Sequence, residues 1–415
     1  MKTIANTPLP GAVRQPGYDR RALRSRIVHL GFGAFHRAHQ ALLTDRVLNA
    51  HGGDWGICEI SLSGGVPLFE ALRQQDHLYS VLEKGADGHQ AIVVGAVHES
   101  LHRKLEGIAA VLEKLAEPQV AIVSMTITEK GYCIEPGSGR LDRQHPGIVA
   151  DLAWPHQPQT VPGILVEALR LRRERGLPAF SLLSCDNIPE NGHVLRRAVL
   201  DLAQARDPSL ADWIATAATF PCTMVDRIVP AATPATLDEI AAALGGVRDE
   251  CAIACEPFIQ WVVEDNFAAG RPAWELAGAQ LVSDVLPFEH MKLRMLNGSH
   301  SFLAYLGYLG GYRYINECMA DEHYRRAALR LMLDEQAPTL SVTGISLTDY
   351  AAQLIARFSN PALQHLTWQI AMDGSQKLPQ RLLDAVRWHL RHGGDYSGLA
   401  LGVAGWMRYT QGVDE

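Results

Sequence analysis

Between Glu289 and His300 the chain reads E-H-M-K-L-R-M-L-N-G-S-H. Lys292, Asn297 and His300 bring an amine, an amide and an imidazole into one short stretch. On an α-helix, at roughly 100° and 1.5 Å per residue, Glu289, Lys292, Asn297 and His300 would share an arc of about 140°. A lysine that sheds its proton is a base, and an amide donates to a developing oxyanion. Such a set fits proton transfer at a carbonyl or an alcohol. The competing reading is a solvated polar face on an amphipathic helix.

A second feature gives the chemical reading its other half. R-I-V-H-L (26–30) is an apolar strand, G-F-G follows, and a helical pattern runs through Phe35, Ala38, Ala41, Leu42 and Val47. W-G-I-C-E-I-S-L (55–62) is a further strand. This strand–glycine turn–helix–strand order opens a dinucleotide-binding unit. Gly31, Phe32, Gly33, Ala34 and Phe35 are then candidate cofactor contacts. The first glycine allows the tight turn, and the second lets the backbone approach a pyrophosphate at the helix N-terminus. The third glycine of the fingerprint is replaced by His36, which leaves a purely structural turn as the alternative. An acid at the end of the second strand would hold the ribose hydroxyls. Glu59 lies inside that strand, and S-L-S-G-G carries no acid and no arginine for a 2′-phosphate. NAD(H) is preferred over NADP.

Elements further along must position these groups. Q-V-A-I-V-S-M-T-I-T (119–128) and F-S-L-L-S-C-D-N (180–187) read as buried parallel strands. Ligands of open α/β sheets sit at strand carboxyl ends, which places Thr126, Thr128, Asp186 and Asn187 near cofactor or substrate. H-L-Y-S-V-L-E and A-I-V-V-G-A-V around G-A-D-G read as an inserted hairpin, and residues 1–25 as a Pro-rich basic arm. Helices are expected at 107–116 and 162–175. Beyond about residue 285 helical periodicity dominates, at 288–311, 321–334, 347–358, 361–371 and 378–391. The expected fold is an α/β Rossmann-type N-terminal domain, residues 1–285, followed by a mainly α-helical C-terminal domain, residues 286–415.

Composition narrows the class. A chain of 415 residues with 47% hydrophobic and 20% charged residues is globular and long enough for two or three domains. A net charge of -7 argues against nucleic acid or an anionic membrane surface as a partner. No apolar run approaches a membrane span, and the N-terminus lacks a hydrophobic signal core. The expectation is a cytoplasmic monomer or small homo-oligomer. Seven cysteines without C-x-x-C read as reduced thiols. The H-x-x-H of His36 and His39 is preferred as packing or capping, and no metal is expected.

Four stretches taken together, I-V-H-L-G-F-G-A-F-H-R-A-H-Q-A, S-C-D-N-I-P-E-N-G, M-V-D-R-I-V-P and K-L-R-M-L-N-G-S-H-S, resemble the polyol-specific long-chain dehydrogenases, the mannitol dehydrogenase family. W-G-I-C-E-I-S-L-S-G-G, T-I-T-E-K-G-Y and Q-I-A-M-D-G-S-Q-K-L-P-Q-R are similar to its D-mannonate oxidoreductase (fructuronate reductase) branch. The resemblance implies a two-domain, metal-independent enzyme. It would pass hydride between a nicotinamide cofactor and a small-molecule sugar acid. It implies Lys292 as general acid/base, Asn187 and Asn297 around the reacting oxygen, and His300 orienting the substrate. Glu289 matches a carboxylate that gates proton exchange, and Asp226 falls in the M-V-D-R motif beside the site. An unperturbed lysine near pKa 10.4 is a poor base at neutral pH, so burial among Met291, Leu293, Met295 and Leu296 is expected to tune Lys292. The substrate carboxylate needs a cation, for which Arg227, Arg357, Lys377 and Arg381 are candidates. Other readings remain open: tagaturonate, mannitol or arabinitol as substrate, or a sugar-sensing protein that binds the cofactor without turnover. Family members usually continue beyond W-M-R-Y-T-Q-G-V-D-E, so a shortened C-terminal domain is expected.

Overall fold

The computed structural model describes residues 2–412, apart from Asp87, Pro136 and Leu363. Asp87 takes the middle of the expected G-A-D-G turn with it. The chain divides into two compact units: Met1–Glu83 with His89–Val285, and Lys84–Gly88 with Leu286–Glu415.

In the first unit the strands are, in chain order, β1 (Arg24–Leu30), β2 (Trp55–Ser61), β3 (Tyr79–Gly85), β4 (Gly88–Val94), β5 (Val97–His102) and β6 (Ile122–Met125). They continue as β7 (Ser181–Ser184), β8 (Thr223–Asp226), β9 (Ile253–Cys255), β10 (Gln260–Glu264) and β11 (Gln280–Val282). The central sheet has the order β5-β2-β1-β6-β7 and is parallel throughout. That is the winding of a Rossmann half, with β1 in the middle and a crossover to β6 on its far side. Leu30 is level with Ile60 and Met125, so β1, β2 and β6 end together.

Side chains alternate across such a sheet. On β1, Ile27 enters one core with Leu42, Trp261 and Trp274. Val28 and Leu30 enter the other with Leu165, Leu169 and Leu195. Both faces are therefore covered, which is why β1, β6 and β7 do not alternate apolar with exposed polar residues. Two smaller three-stranded sheets, β11-β10-β8 and β4-β3-β9, complete the unit.

Two expectations change here. The strand expected over 119–128 shortens to Ile122–Met125, because the Asp186 carboxylate takes the Ile127 and Thr128 N–H groups out of the ladder. The helix after G-F-G breaks at His39 (φ -124°, ψ -96°) into Ala34–Ala38 and Gln40–His51.

The second unit packs helices around Met295, Phe302, Leu303, Tyr305, Leu354 and Leu382. The continuous helix expected over 288–311 is three pieces: an α-helix Leu286–Met291, a π-helix Lys292–Gly298 and an α-helix Ser299–Leu309. Further π turns run over Leu331–Gln336 and Pro379–Leu383. The helix Leu347–Phe358 has its expected bounds, whereas that over 361–371 contracts to Thr367–Ala371. A closing helix, Ser397–Tyr409, gave no sequence expectation.

Candidate active site

The turn after β1 is built for close backbone approach. Gly31 has φ +112°, and a Cβ there would lie 2.4 Å from the Thr126 carbonyl oxygen. Only glycine fits both demands. A Cβ on Gly33 would meet nothing within 4 Å, so that position faces open space. A cavity of about 670 Å³ opens at the same strand ends, lined by Gly31, Ser61, Ser63, Arg103, Thr126 and Thr128 among others. Thr128 holds a strained φ of +62°, fixed by its N–H donating to Asp186 Oδ1 at 2.9 Å. Asp186 also accepts from Tyr132 OH at 2.6 Å and is buried, so it braces this loop. These residues fit a dinucleotide: a glycine cradle, open backbone and a roomy cleft where the central strands end.

Phe32 belongs to this turn by its backbone only. Its ring is buried edge-to-face against Phe69 and Tyr79, so the cofactor contact expected of it is left to its backbone. Phe35 stacks on His39 at 4.8 Å. The H-x-x-H pair parts company: His39 Nε2 meets the Gln260 carbonyl at 3.0 Å, and His36 Nε2 meets Glu59 Oε1 at 2.6 Å. His29, His36 and Glu59 offer ligand atoms within 4.8 Å of one another. The two rings are stacked face to face, 3.4 Å apart and 10° from parallel. Their in-plane lone pairs run side by side and do not converge on one ion, so the trio suits hydrogen bonding.

Asn187 stands exposed just past the end of β7, and Asp226 is buried as the last residue of β8. Arg227 corrects its expected role. Its guanidinium has no exposed side-chain surface and is held by Glu83, by the Ala38 carbonyl and by the Glu256 carbonyl at 2.6 Å. It is a strut of the first unit and is not available to clamp a substrate.

In the second unit Glu289, Lys292 and Asn297 are buried, so the solvated-face reading of this stretch fails. Lys292 opens the π turn and Asn297 lies five residues on, within it. On an α-helix those two would point about 140° apart. A π turn closes i→i+5, so at about 80–90° per residue they come to within roughly 40–90° of each other. The spacing K-x-x-x-x-N thus matches the π period. Gly298 permits it: a Cβ there would lie 2.6 Å from both the Arg381 carbonyl and Gln336 Nε2.

His300 follows one turn later, stacked on Phe358 at 5.0 Å and tilted by 34° against His365 at 5.2 Å. Burial drives its pKa well down, and His365, Arg381, Arg357 and Lys377 add to the effect. Burial, then Arg357, lowers His365 to about 4. Three cations, all between residues 357 and 381, are thereby gathered around one neutral imidazole. Arg381 Nη1 donates to Ser301 Oγ at 3.1 Å, and burial lowers its pKa to about 10. Lys377 donates to the Met372 carbonyl at 2.6 Å and is held below its usual pKa by burial and then by Arg381. Asn297 Nδ2, His300 Nε2 and Arg381 Nε are buried and lack protein partners. Unpartnered buried donors beside several cations are what a carboxylate-bearing ligand satisfies. His365 and Phe358 were missed from sequence, since neither sits at a regular spacing from the Lys292 stretch.

A nucleotide fold joined to a helical unit that carries a buried lysine and amide defines an NAD-dependent oxidoreductase acting on CH–OH groups. The mannitol dehydrogenase Rossmann domain matches residues 25–276 and the mannitol dehydrogenase C-terminal domain matches residues 284–415. The chain belongs to the mannitol dehydrogenase family. It is 67% identical over 415 residues to the uncharacterized oxidoreductase YeiQ of Escherichia coli (strain K12), covering 100% of this chain and 85% of that protein. It is 62% identical over 418 residues to the D-mannonate oxidoreductase of the same organism, again covering 100% and 85%. Among solved structures it resembles Pseudomonas fluorescens mannitol 2-dehydrogenase in ternary complex with NAD and D-mannitol. That match has a TM-score of 0.89 and 41% identity, over 98% of this chain and 83% of the other.

Proposed function

We propose that this enzyme is a D-mannonate oxidoreductase, interconverting D-fructuronate and D-mannonate with NAD(H). The observation that carries the sugar-acid reading is the gathering of Arg357, Lys377 and Arg381 around His300. A neutral polyol has no charge to match three partly desolvated cations, and a uronate does. The 62% identical relative bears the same activity in its name.

The bound nicotinamide supplies or accepts the hydride. Lys292 gives its proton to the nascent alkoxide in reduction and takes it back from the alcohol in oxidation. Asn297 and Asn187 donate to the reacting oxygen, and the donor Asn297 Nδ2 is left without a protein partner for that purpose. His300, held neutral, offers one ring donor to a substrate hydroxyl, its plane fixed by Phe358 and His365. Glu289 relays the proton between Lys292 and solvent. Gly31, Gly33, Ala34, Thr126 and Thr128 hold the cofactor.

The test is a substrate panel: NADH and NADPH oxidation against D-fructuronate, D-tagaturonate and D-fructose. D-Fructuronate with NADH should give the highest kcat/KM. Arg381→Leu should raise KM for the uronate about 10- to 100-fold, the range for a hydrogen bond to a charged group, and leave D-fructose unchanged. Equal kcat/KM for D-fructuronate and D-fructose in the native enzyme would sink the reading.

A further inference from the structure

The end of β2 bears on which nicotinamide cofactor a Rossmann half can hold. A carboxylate there grips the ribose 2′-hydroxyl and repels a 2′-phosphate, whereas an arginine nearby admits the phosphate. The one acid on β2, Glu59, does neither. It is fully buried, its carboxylate meets His36 Nε2 at 2.6 Å, and it does not line the cavity. Past β2 the chain turns through residues 61–64. Ser61 Oγ donates to the Gly64 carbonyl at 2.6 Å, and His102 Nε2 meets the same oxygen at 3.1 Å. The Lys104 N–H donates to His102 Nδ1 at 3.1 Å, which makes Nε2 the donor of the neutral ring. The turn is thereby held in one shape. Ser63 is exposed on it, and a Cβ on Gly64 would meet nothing within 4 Å, so it opens onto free space.

The cation missing from S-L-S-G-G comes from the neighbouring strand. Ser61 pairs with His102 on β5, so Arg103, the next residue, stands beside the end of β2. Arg103 Nη1 donates to the Gln159 carbonyl and Nη2 to the Pro158 carbonyl, each at 3.0 Å. Those bonds fix the guanidinium on the cavity wall and use two of its five N–H groups, leaving three for a ligand. Lys130, exposed on the turn Glu129–Tyr132, lines the same cavity. Among the described residues the lining holds both of these cations and no carboxylate. Glu106, the acid nearest to Arg103 in the chain, is already occupied. It accepts from Arg73 Nη1 at 3.0 Å and from the His102 N–H at 2.6 Å. A phosphate dianion matches such a cleft in charge, and a bare ribose hydroxyl can still accept from the same guanidinium.

We propose that this end of the cavity binds the 2′-phosphate of NADP(H), with Arg103 and Lys130 as specificity-determining residues, so that the enzyme takes NADP(H) alongside NAD(H). Arg103 offers its remaining N–H donors to the phosphate oxygens, and Lys130 adds a mobile point charge. Discrimination between two ligands usually needs a group that repels the wrong one. Among the described residues lining this cavity there is none against a phosphate, so the preference for NADH is small.

The inference rests on the cofactor reading of this cavity and holds whichever sugar is the substrate. Dissociation constants for NADH and NADPH should be measured by fluorescence titration, and those for 5′-AMP and adenosine 2′,5′-bisphosphate by calorimetry. In the native enzyme NADPH should bind within about tenfold of NADH, and the bisphosphate more tightly than 5′-AMP. Arg103→Ala should weaken NADPH and the bisphosphate about 10- to 100-fold, the range for hydrogen bonds to a charged group, and NADH far less. Because Arg103 also holds two carbonyls, Ser63→Asp supplies a second reading that leaves the cavity wall intact. A carboxylate at this exposed position should weaken NADPH by about tenfold or more and spare NADH. A native affinity for NADPH more than about tenfold below that for NADH, or equal losses of the two cofactors in both variants, would overturn the proposal while leaving the cofactor site standing. Absence of binding by all four ligands would overturn the cofactor site as well.

Discussion

At the scale of single residues, burial alone does not separate candidate chemistry from scaffolding. Lys292 and Asn297 are polar groups that a helix would normally leave in water, and this fold buries both. Lys292→Ala should remove general acid/base catalysis, cutting kcat by about 10²–10⁴ with the NADH dissociation constant unchanged. Near-native turnover in that variant would exclude Lys292 from proton transfer. Asn297→Ala should cost about 10²–10³ in kcat if its unpartnered amide meets the oxyanion, and a change confined to KM would assign it to binding alone. Arg227 makes the contrasting case. Arg227→Leu orphans two buried carbonyls and one partner of Glu83, and should cost about 3 kcal/mol in urea unfolding. The sequence did hold a warning, because an arginine inside M-V-D-R-I-V-P sits among residues bound for the interior. Residue types drew attention to the Lys292 set, and the fold buries Lys292 and Asn297. They were silent on His365, whose place beside His300 depends on how a loop after Phe358 returns, a long-range matter that no local spacing encodes.

At the scale of elements, the parts legible in the sequence are those with a local cause. R-I-V-H-L-G-F-G announces a buried strand and a turn only glycine can make, and the fold places both there. Helix Leu347–Phe358 was legible because its apolar period is regular and Ser346 caps it. The π turn was not, since the 3.6-residue template assumes the very geometry that fails there. Its cause is tertiary: Gly298 lets the backbone of the Pro379–Leu383 turn and the Gln336 amide press against the helix. Gly298→Ala should therefore lower stability by about 1–3 kcal/mol through overpacking, read as a shift in the urea midpoint. A neutral effect would mean that the neighbouring turn yields.

At the scale of the whole molecule, the ionisable interior sets how the protein tolerates acid. Among the described residues, burial lowers the pKa of His29, His36, His39, His77, His300 and His365. The unfolded chain binds those protons first, so stability falls as pH drops below about 6.5. Asp45 and Glu59, raised to about 6 and about 7, work the other way, as do Asp186 and Asp249. Their folded forms hold protons that the unfolded chain has released, which costs stability as pH rises through 4 to 7. The opposition should make the urea midpoint decline gently from about pH 6.5 to 4.5 and steeply below about 4.5, where paired carboxylates such as Glu99 and Glu167, held below their usual pKa, add to the histidines. A midpoint that climbs between pH 5 and 4 would contradict this. Composition and the order of elements made the two-part plan readable from sequence. One detail escaped it: residues Lys84–Gly88, from the hairpin between β3 and β4, group with the C-terminal helices. There the Lys84 carbonyl accepts from Asn360 Nδ2 at 3.2 Å, across 276 residues of chain. During synthesis that hairpin emerges long before its helices exist. The nascent nucleotide-binding unit can fold first, as N-terminal units do, but the helical unit must close around a segment already made. The last step of biogenesis is then a long-range capture, and the ribosome's pace over the C-terminal third sets how long the captured strand waits.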